Sequence, residues 1–306
     1  MSAVIHSAVI HTEGLSKRYG STTALDGLDL DVRQGEVFGY LGPNGAGKTT
    51  TISVLLGLVV ATSGVARLFD LDPRRDAAEI HRRVGYVPSE ANLWPTLTGA
   101  ETLQFLGSIH GSVDATYQAE LVERFALEPD KKIRAYSHGN RQKVLLIAAL
   151  ASRAELLLLD EPTTGLDPLM EQVFRDCVRE ARDRGQTVLL SSHVLSEVEA
   201  VCDRVAMLHA GRIIETGHLD VLRGLAALRV RAELDGVVPD LARVPGVSDV
   251  VVDGSTVECD VTGSMEPLIG ALAQAGVTRM TTREPTLEEL FLARYGNASD
   301  AAGPPR

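Results

Sequence analysis

Apolar positions along the chain fall into two kinds of run. Val37–Leu41, Val84–Val87, Leu156–Leu159 and Val188–Leu190 are short and nearly unbroken, the mark of strands buried on both faces. Lys48–Leu58, Arg141–Ala151 and Leu169–Arg184 are longer, of helical length. Strand and helix taking turns from Glu13 to about Gly224 predict an α/β fold, a largely parallel sheet flanked by helices. Thr98–Leu150 contains no clear strand, so residues 98–150 read as a helical subdomain. Residues 1–12 read as a loosely specified lead-in.

The pattern changes near Leu225. Leu228–Leu234, Val247–Val252, Thr256–Val261 and Val277–Thr282 read as strands, with an Asp253-Gly254 turn signal between the second and third. Asp240–Arg243 and Met265–Ala275 read as helices. The order βαββαβ predicts a small α+β, ferredoxin-like accessory domain over residues 225–296, with 1–224 as the larger domain. Thr286 and Glu289 form a capping box for a last helix, Leu287–Tyr295. Residues 297–306 are small, polar and Pro-rich, and are expected to be disordered.

Composition narrows the partners. Aromatic residues are only 4% of the chain, so Ala, Leu and Val must fill the core. A net charge of -11 argues against a broad basic surface for nucleic acid. It leaves room for a local anion site built from backbone N–H groups and one lysine. The three cysteines form no CxxC pair, so neither a disulfide framework nor a zinc site is indicated and a reducing cytoplasm fits. No basic-then-apolar leader is visible. The most apolar runs, Val54–Ala61 and Val144–Ala151, fall far short of the ~20 residues that span a bilayer. Any action at a membrane therefore requires another polypeptide to hold the chain there.

Two motifs carry chemistry. Gly42-Pro43-Asn44-Gly45-Ala46-Gly47-Lys48-Thr49 fits GxxxxGK[ST] at every fixed position, between a predicted strand and a predicted helix. Its glycines let the backbone curl and point N–H groups at phosphates. Lys48 is expected on the β- and γ-phosphates of ATP, the Thr49 hydroxyl on Mg²⁺, and Thr50 on an α-phosphate oxygen. The second motif is the strand Leu156–Leu159 ending in Asp160-Glu161. Asp160 is expected in the Mg²⁺ shell and Glu161 as general base for the attacking water. Together they define a P-loop NTPase.

Tyr136-Ser137-His138-Gly139-Asn140-Arg141-Gln142 then opens a helix upstream of Asp160. Read alone, it is an N-capped helix start. In its place before Asp160 it resembles the LSGGQ signature of the ATP-binding subunits of ABC transporters, and the resemblance covers about Glu13 to Gly217. It implies that Ser137 and Gly139 grip the γ-phosphate held by a second copy, so that two copies form a nucleotide sandwich. Tyr136, His138 and Asn140 depart from the commonest signature. The resemblance further implies that Tyr19 stacks on adenine, that Asp167 in Gly165-Leu166-Asp167 crosses the dimer interface, and that His193 senses the γ-phosphate and orients the water. Ser89 stands where the family has Gln, with Glu90 beside it. Trp94 lies where a transmembrane partner docks, and reads equally as ordinary loop packing. The closing Leu287–Leu292 is similar to the tail of daunorubicin-resistance drug exporters. The implied partners are a second copy and separately encoded transmembrane permease subunits, with the chain peripheral on the cytoplasmic face of the membrane. Two other readings stand beside this one: a soluble ATPase of the same type in translation or repair, and a low-turnover nucleotide-gated regulator.

Overall fold

A computed structural model describes residues 8–111, 113–224 and 227–284, together with Thr286 and Glu289. The chain folds as two compact units, with the boundary between Thr216 and Gly217. This places the divide somewhat before residue 224, where the sequence pattern changes.

The first unit opens with two long strands, β1 (Ala8–Tyr19) and β2 (Thr22–Arg33), followed by β3 (Val37–Leu41), α1 (Lys48–Leu55) and β4 (Ser63–Leu68). β1 pairs antiparallel with both β2 and β4. This corrects the lead-in reading for residues 8–12, because Val9, Ile10 and Thr12 are buried within β1, while residues 1–7 lie outside the described residues. The β1–β2 register shifts four times, between Ala8 and Ile10, Thr12 and Leu15, Leu15 and Lys17, and Lys17 and Arg18. Such shifts break the strict alternation by which a strand is recognised. α1 stops at Leu55 rather than Leu58. Gly57 turns left-handed at φ 70°, and the N–H groups of Leu58 and Val59 both fold back onto Ser53 O.

The chain continues through α2 (Ala77–Arg83), β5 (Val84–Val87), α3 (Gly99–His110), α4 (Ala115–Arg124) and α5 (His138–Ala151). α3 starts on a capping box in which Thr98 and Glu101 exchange bonds. Then come β6 (Leu156–Asp160), α6 (Pro168–Asp183), β7 (Thr187–Ser192), α7 (Leu195–Val201), β8 (Arg204–His209) and β9 (Arg212–His218). Six strands form one sheet in the order β5-β6-β7-β3-β8-β9. The pairings β5–β6, β6–β7, β7–β3 and β3–β8 are parallel.

β3, β6 and β7 are buried at every residue, which is why they read as continuous apolar runs. Their register sets Leu41 beside Ser192 and Asp160 beside Ser191. The loops that leave β3, β6 and β7 therefore emerge together, at the carboxyl edge where open α/β sheets bind ligands. Among the described residues no helix is long and apolar enough to cross a membrane.

The second unit holds α8 (Leu219–Gly224), β10 (Leu228–Leu234), β11 (Val247–Asp253), β12 (Thr256–Val261), α9 (Glu266–Gln274) and β13 (Val277–Arg283). A single 3-10 turn, Leu241–Arg243, stands where the sequence predicts the first helix. The strands pair antiparallel in the order β11-β12-β10-β13. Val230, Ala232 and Leu234 alternate inward with Val257, Cys259 and Val261, and pack against Leu268 and Leu272 of α9. Thr286 and Glu289 make the reciprocal capping bonds. The helix Leu287–Tyr295 and the tail 297–306 lie outside the described residues.

Candidate nucleotide site

Gly42 to Gly47 link β3 to α1. Gly47 sits at φ 113°, and a Cβ there would lie 2.7 Å from Ala24 O and 2.8 Å from Leu25 Cδ2. Only glycine allows the loop to lie this close to β2 while its backbone turns to begin α1. Ala46, Gly47 and Lys48 are buried, while Pro43, Asn44 and Gly45 face solvent, Thr49 is exposed and Thr50 half-buried.

The side chains at this edge form a chain of contacts. Lys48 Nζ donates to Gly42 O at 2.6 Å and Pro43 O at 3.3 Å, and lies 3.1 Å from Glu161 Oε1. The other Glu161 oxygen, Oε2, is 2.5 Å from His193 Nδ1. Glu161 thus bridges the phosphate-loop lysine and the histidine beyond β7. It does so in a left-handed backbone conformation at φ 52°, an uncommon state for a residue with a side chain and one that clusters at functional sites. The Lys48 and Glu161 side chains are only 6% and 14% exposed. Ions so far removed from water are tolerated because each meets a partner of opposite sign. His193 is 48% exposed and faces outward from the pair.

Asp160 is fully buried. Thr49 Oγ1 donates to its Oδ2 at 2.7 Å, and Ser191 Oγ donates to its Oδ1 at 2.5 Å. A carboxylate and an adjacent hydroxyl are the hard oxygen donors that suit Mg²⁺. Ser191 is not among the residues the sequence motifs single out. It also accepts from the Glu161 N–H, through both its carbonyl at 3.1 Å and its hydroxyl at 3.2 Å. Nearby on β5, burial and then the negative charge of Asp160 push the Tyr86 phenol up to about 12.

The structure does not bring every expected residue into this cluster. Ser137 caps α5, accepting from Asn140 N at 3.2 Å. Gly139 packs on Gly165, where a Cβ would run into Gly165 O. Asp167 caps α6, accepting from Leu169 N and Met170 N. Among the described residues no hydrogen bond or ion pair joins these three to Lys48, Asp160, Glu161 or His193. Tyr19, 49% exposed, stacks under Lys17 with Nζ 4.7 Å from the ring centre. Ser89 is half-buried and Glu90 exposed, its carboxylate 3.5 Å from Asn92 Nδ2. Trp94 meets Phe105 edge-on, with centroids 4.8 Å apart, and stays 46% exposed.

The sequence pattern passes over two further buried polar residues. Gln142 donates to Pro162 O at 3.2 Å, and Glu197 links Thr163 to Ser192. Nothing in the spacing of a lone glutamine or glutamate marks it. Their signal is burial, which appears only in three dimensions.

Comparison with known proteins agrees with this geometry. Residues 25–164 match the family model described as ABC transporter. The daunorubicin resistance ATP-binding protein DrrA3 of Streptomyces coeruleorubidus is 39% identical over 94% of this chain and 96% of its own length. The Nod factor export ATP-binding protein I of Ralstonia nicotianae is 34% identical over 94% of each chain. A solved ATP-binding subunit of an ABC transporter superposes with a TM-score of 0.66 at 30% identity, over 70% of this chain and 92% of that one. The chain therefore belongs to the ATP-binding, ATP-hydrolysing subunits of ABC transporters, and is similar to those of the daunorubicin-resistance type.

Proposed function

We propose that this ATPase energises an exporter, as a homodimer that holds two ATP between its copies and drives separately encoded permease subunits from the cytoplasmic face of the membrane. The observation that carries the reading is the bridge Lys48–Glu161–His193 across the ends of β3, β6 and β7. In it the general base is held by the lysine that phosphate would claim. ATP entering the loop offers its phosphate oxygens to Lys48 and to the N–H groups from Gly42 to Thr50 at the start of α1. Lys48 then turns from Glu161 to phosphate. The freed Oε1 faces the site and accepts a proton from the attacking water, while His193 on Oε2 holds the carboxylate's orientation. Thr49 and Asp160 are the residues to hold Mg²⁺, which would neutralise charge on the β- and γ-phosphates when bound.

The dimer is supported by the residues left outside this cluster. Ser137 and Gly139 open the fourteen-residue helix α5, whose N-terminus favours an anion. Among the described residues no hydrogen bond or ion pair joins them to their own phosphate loop. A second copy placed head to tail would bring them to it, with Asp167 at the interface and Tyr19 on the adenine. ATP that binds across the closed pair supplies the differential affinity that a conformational cycle requires. The names of the relatives, with resistance and export in them, favour outward transport. The exposed Trp94 and Phe105 are the surface we assign to the membrane partner. For the second unit we propose a ferredoxin-like accessory domain, on its strand order and its β10–turn–β11–β12–α9–β13 sequence.

Steady-state ATP hydrolysis by the purified chain, against Glu161→Gln, tests the base. The substitution is expected to abolish turnover and leave ATP binding intact. Equal rates would reject Glu161 and favour a nucleotide-gated regulator.

A further inference from the structure

Glu161 and His193 leave different strands, yet hydrolysis needs them at one fixed spacing. A third carboxylate stands behind both. Glu197, on the first turn of α7, is 9% exposed. Its Oε1 accepts from Thr163 Oγ1 at 2.6 Å, on the loop that follows Glu161. Its Oε2 accepts from Ser192 Oγ at 2.8 Å, on the residue before His193. Ser192 Oγ in turn accepts from Val194 N at 2.9 Å, on the residue after His193. Glu197 therefore fastens the Glu161 loop directly and, through Ser192, both flanks of His193.

That arrangement is costly to build. A buried carboxylate gives up strong hydration, and a leucine at this position would avoid the loss. Two short hydroxyl bonds offset the cost only while both loops keep their present places. The carboxylate is thus a clamp that works in one geometry, the one that sets Glu161 Oε2 2.5 Å from His193 Nδ1. The same loop is held by a second bond, from Gln142 of α5 to Pro162 O.

We infer that Glu197 is a positioning residue for ATP hydrolysis, holding the Thr163 loop and the His193 turn together so that base and histidine stay in register. The inference rests on the roles proposed above for Glu161 and His193. The test uses the full chain, with ATP turnover, ATP binding and thermal unfolding measured for Glu197→Ala, Glu197→Gln and Thr163→Val, and with Glu161→Gln as the control. Glu197→Ala is expected to lower kcat about 10–100-fold, the range seen when an orienting outer group is lost, with ATP affinity unchanged. Glu197→Gln keeps a carbonyl acceptor and gains an amide that the Thr163 hydroxyl can accept from, and is expected to recover most of the loss. Thr163→Val is expected to lower kcat partway and to add little in the Glu197→Ala background, since both remove the same link. Parental turnover in Glu197→Ala overturns the inference. So does a joint fall of kcat, affinity and melting temperature that Glu197→Gln does not recover. If Glu161→Gln is inactive while Glu197→Ala is not, the inference fails alone. If Glu161→Gln turns over at the parental rate, the base assignment fails and takes the inference with it.

Discussion

Replacing Gly139 by alanine tests what this glycine does within its own chain, apart from the role proposed for it toward a nucleotide. A Cβ at Gly139 would fall far inside contact distance of Gly165 O and 3.1 Å from Gly165 C. Both are backbone atoms, so no side chain can rotate away. Gly165 is itself at φ 80° in a tight turn, and Leu166 N is bonded to Thr163 O at 2.9 Å. To reach ordinary carbon contact of ~3.5 Å the α5 start and the Gly165 turn must part by about 1 Å. Overpacking of this kind costs about 1–3 kcal/mol. Against it stands at most the gain of about 0.5–1 kcal/mol that alanine has over glycine in a helix interior, so the net loss is about 0–2.5 kcal/mol. Urea unfolding should show a lower midpoint at unchanged slope. Gly270→Ala is the matched control. It lies in α9 with no atom near its missing Cβ, and should stabilise by about 0.5–1 kcal/mol. A Gly139→Ala protein at least as stable as the parent would refute the argument from close approach, and would leave phosphate contact as the sole reason for glycine there.

Thr49→Val keeps the side-chain shape but removes the donor to the buried Asp160 Oδ2. Leaving that oxygen unpaired should cost about 1–3 kcal/mol of stability by urea titration, and ATP turnover should lose its response to Mg²⁺. Glu180 is held below the usual carboxylate range, chiefly by its hydrogen bond from Arg124. A folded value below the unfolded one, about 4.3, gives stability that is complete above that pH and lost as pH falls through the folded value. Glu180→Gln should therefore lower the urea midpoint at pH 7 and converge with the parent in stronger acid; a difference that persists or grows there would contradict the pairing. Leu158→Ala, at a fully buried position of β6, should cost about 2–5 kcal/mol by the same titration.

The parallel sheet is legible because burial on both faces writes itself as unbroken apolar runs, and β3, β5, β6 and β7 lie where those runs lie. The phosphate loop and Asp160-Glu161 are legible because glycines and paired acids at strand ends have few other uses. β1 and β2 are not, since bulges at Thr12–Leu15 and beyond scramble the period of 2. β4 is hidden for a related reason, its first three residues being exposed. Ser191 and Glu197 escape because a serine or glutamate declares its role only through burial and partner. In Ser191-Ser192-His193 the histidine alone stands out by type, yet the two hydroxyls before it fasten Asp160, Glu161 and Glu197. Proximity of Glu161 to both Lys48 and His193 depends on strand order, with β7 between β6 and β3, and strand order is not written locally in any segment.

In the proposed dimer, Gly42–Thr50 is half of a site that Ser137 and Gly139 of a second copy complete. Light scattering on Glu161→Gln, which binds ATP without consuming it in this account, tests this directly. Mg²⁺ and ATP should convert monomer to dimer with two trapped nucleotides, and replacing Ser137 by a bulky residue in the same background should abolish the dimer while leaving monomeric ATP binding. A protein that binds ATP yet stays monomeric, or one whose dimer is indifferent to Ser137, would contradict it.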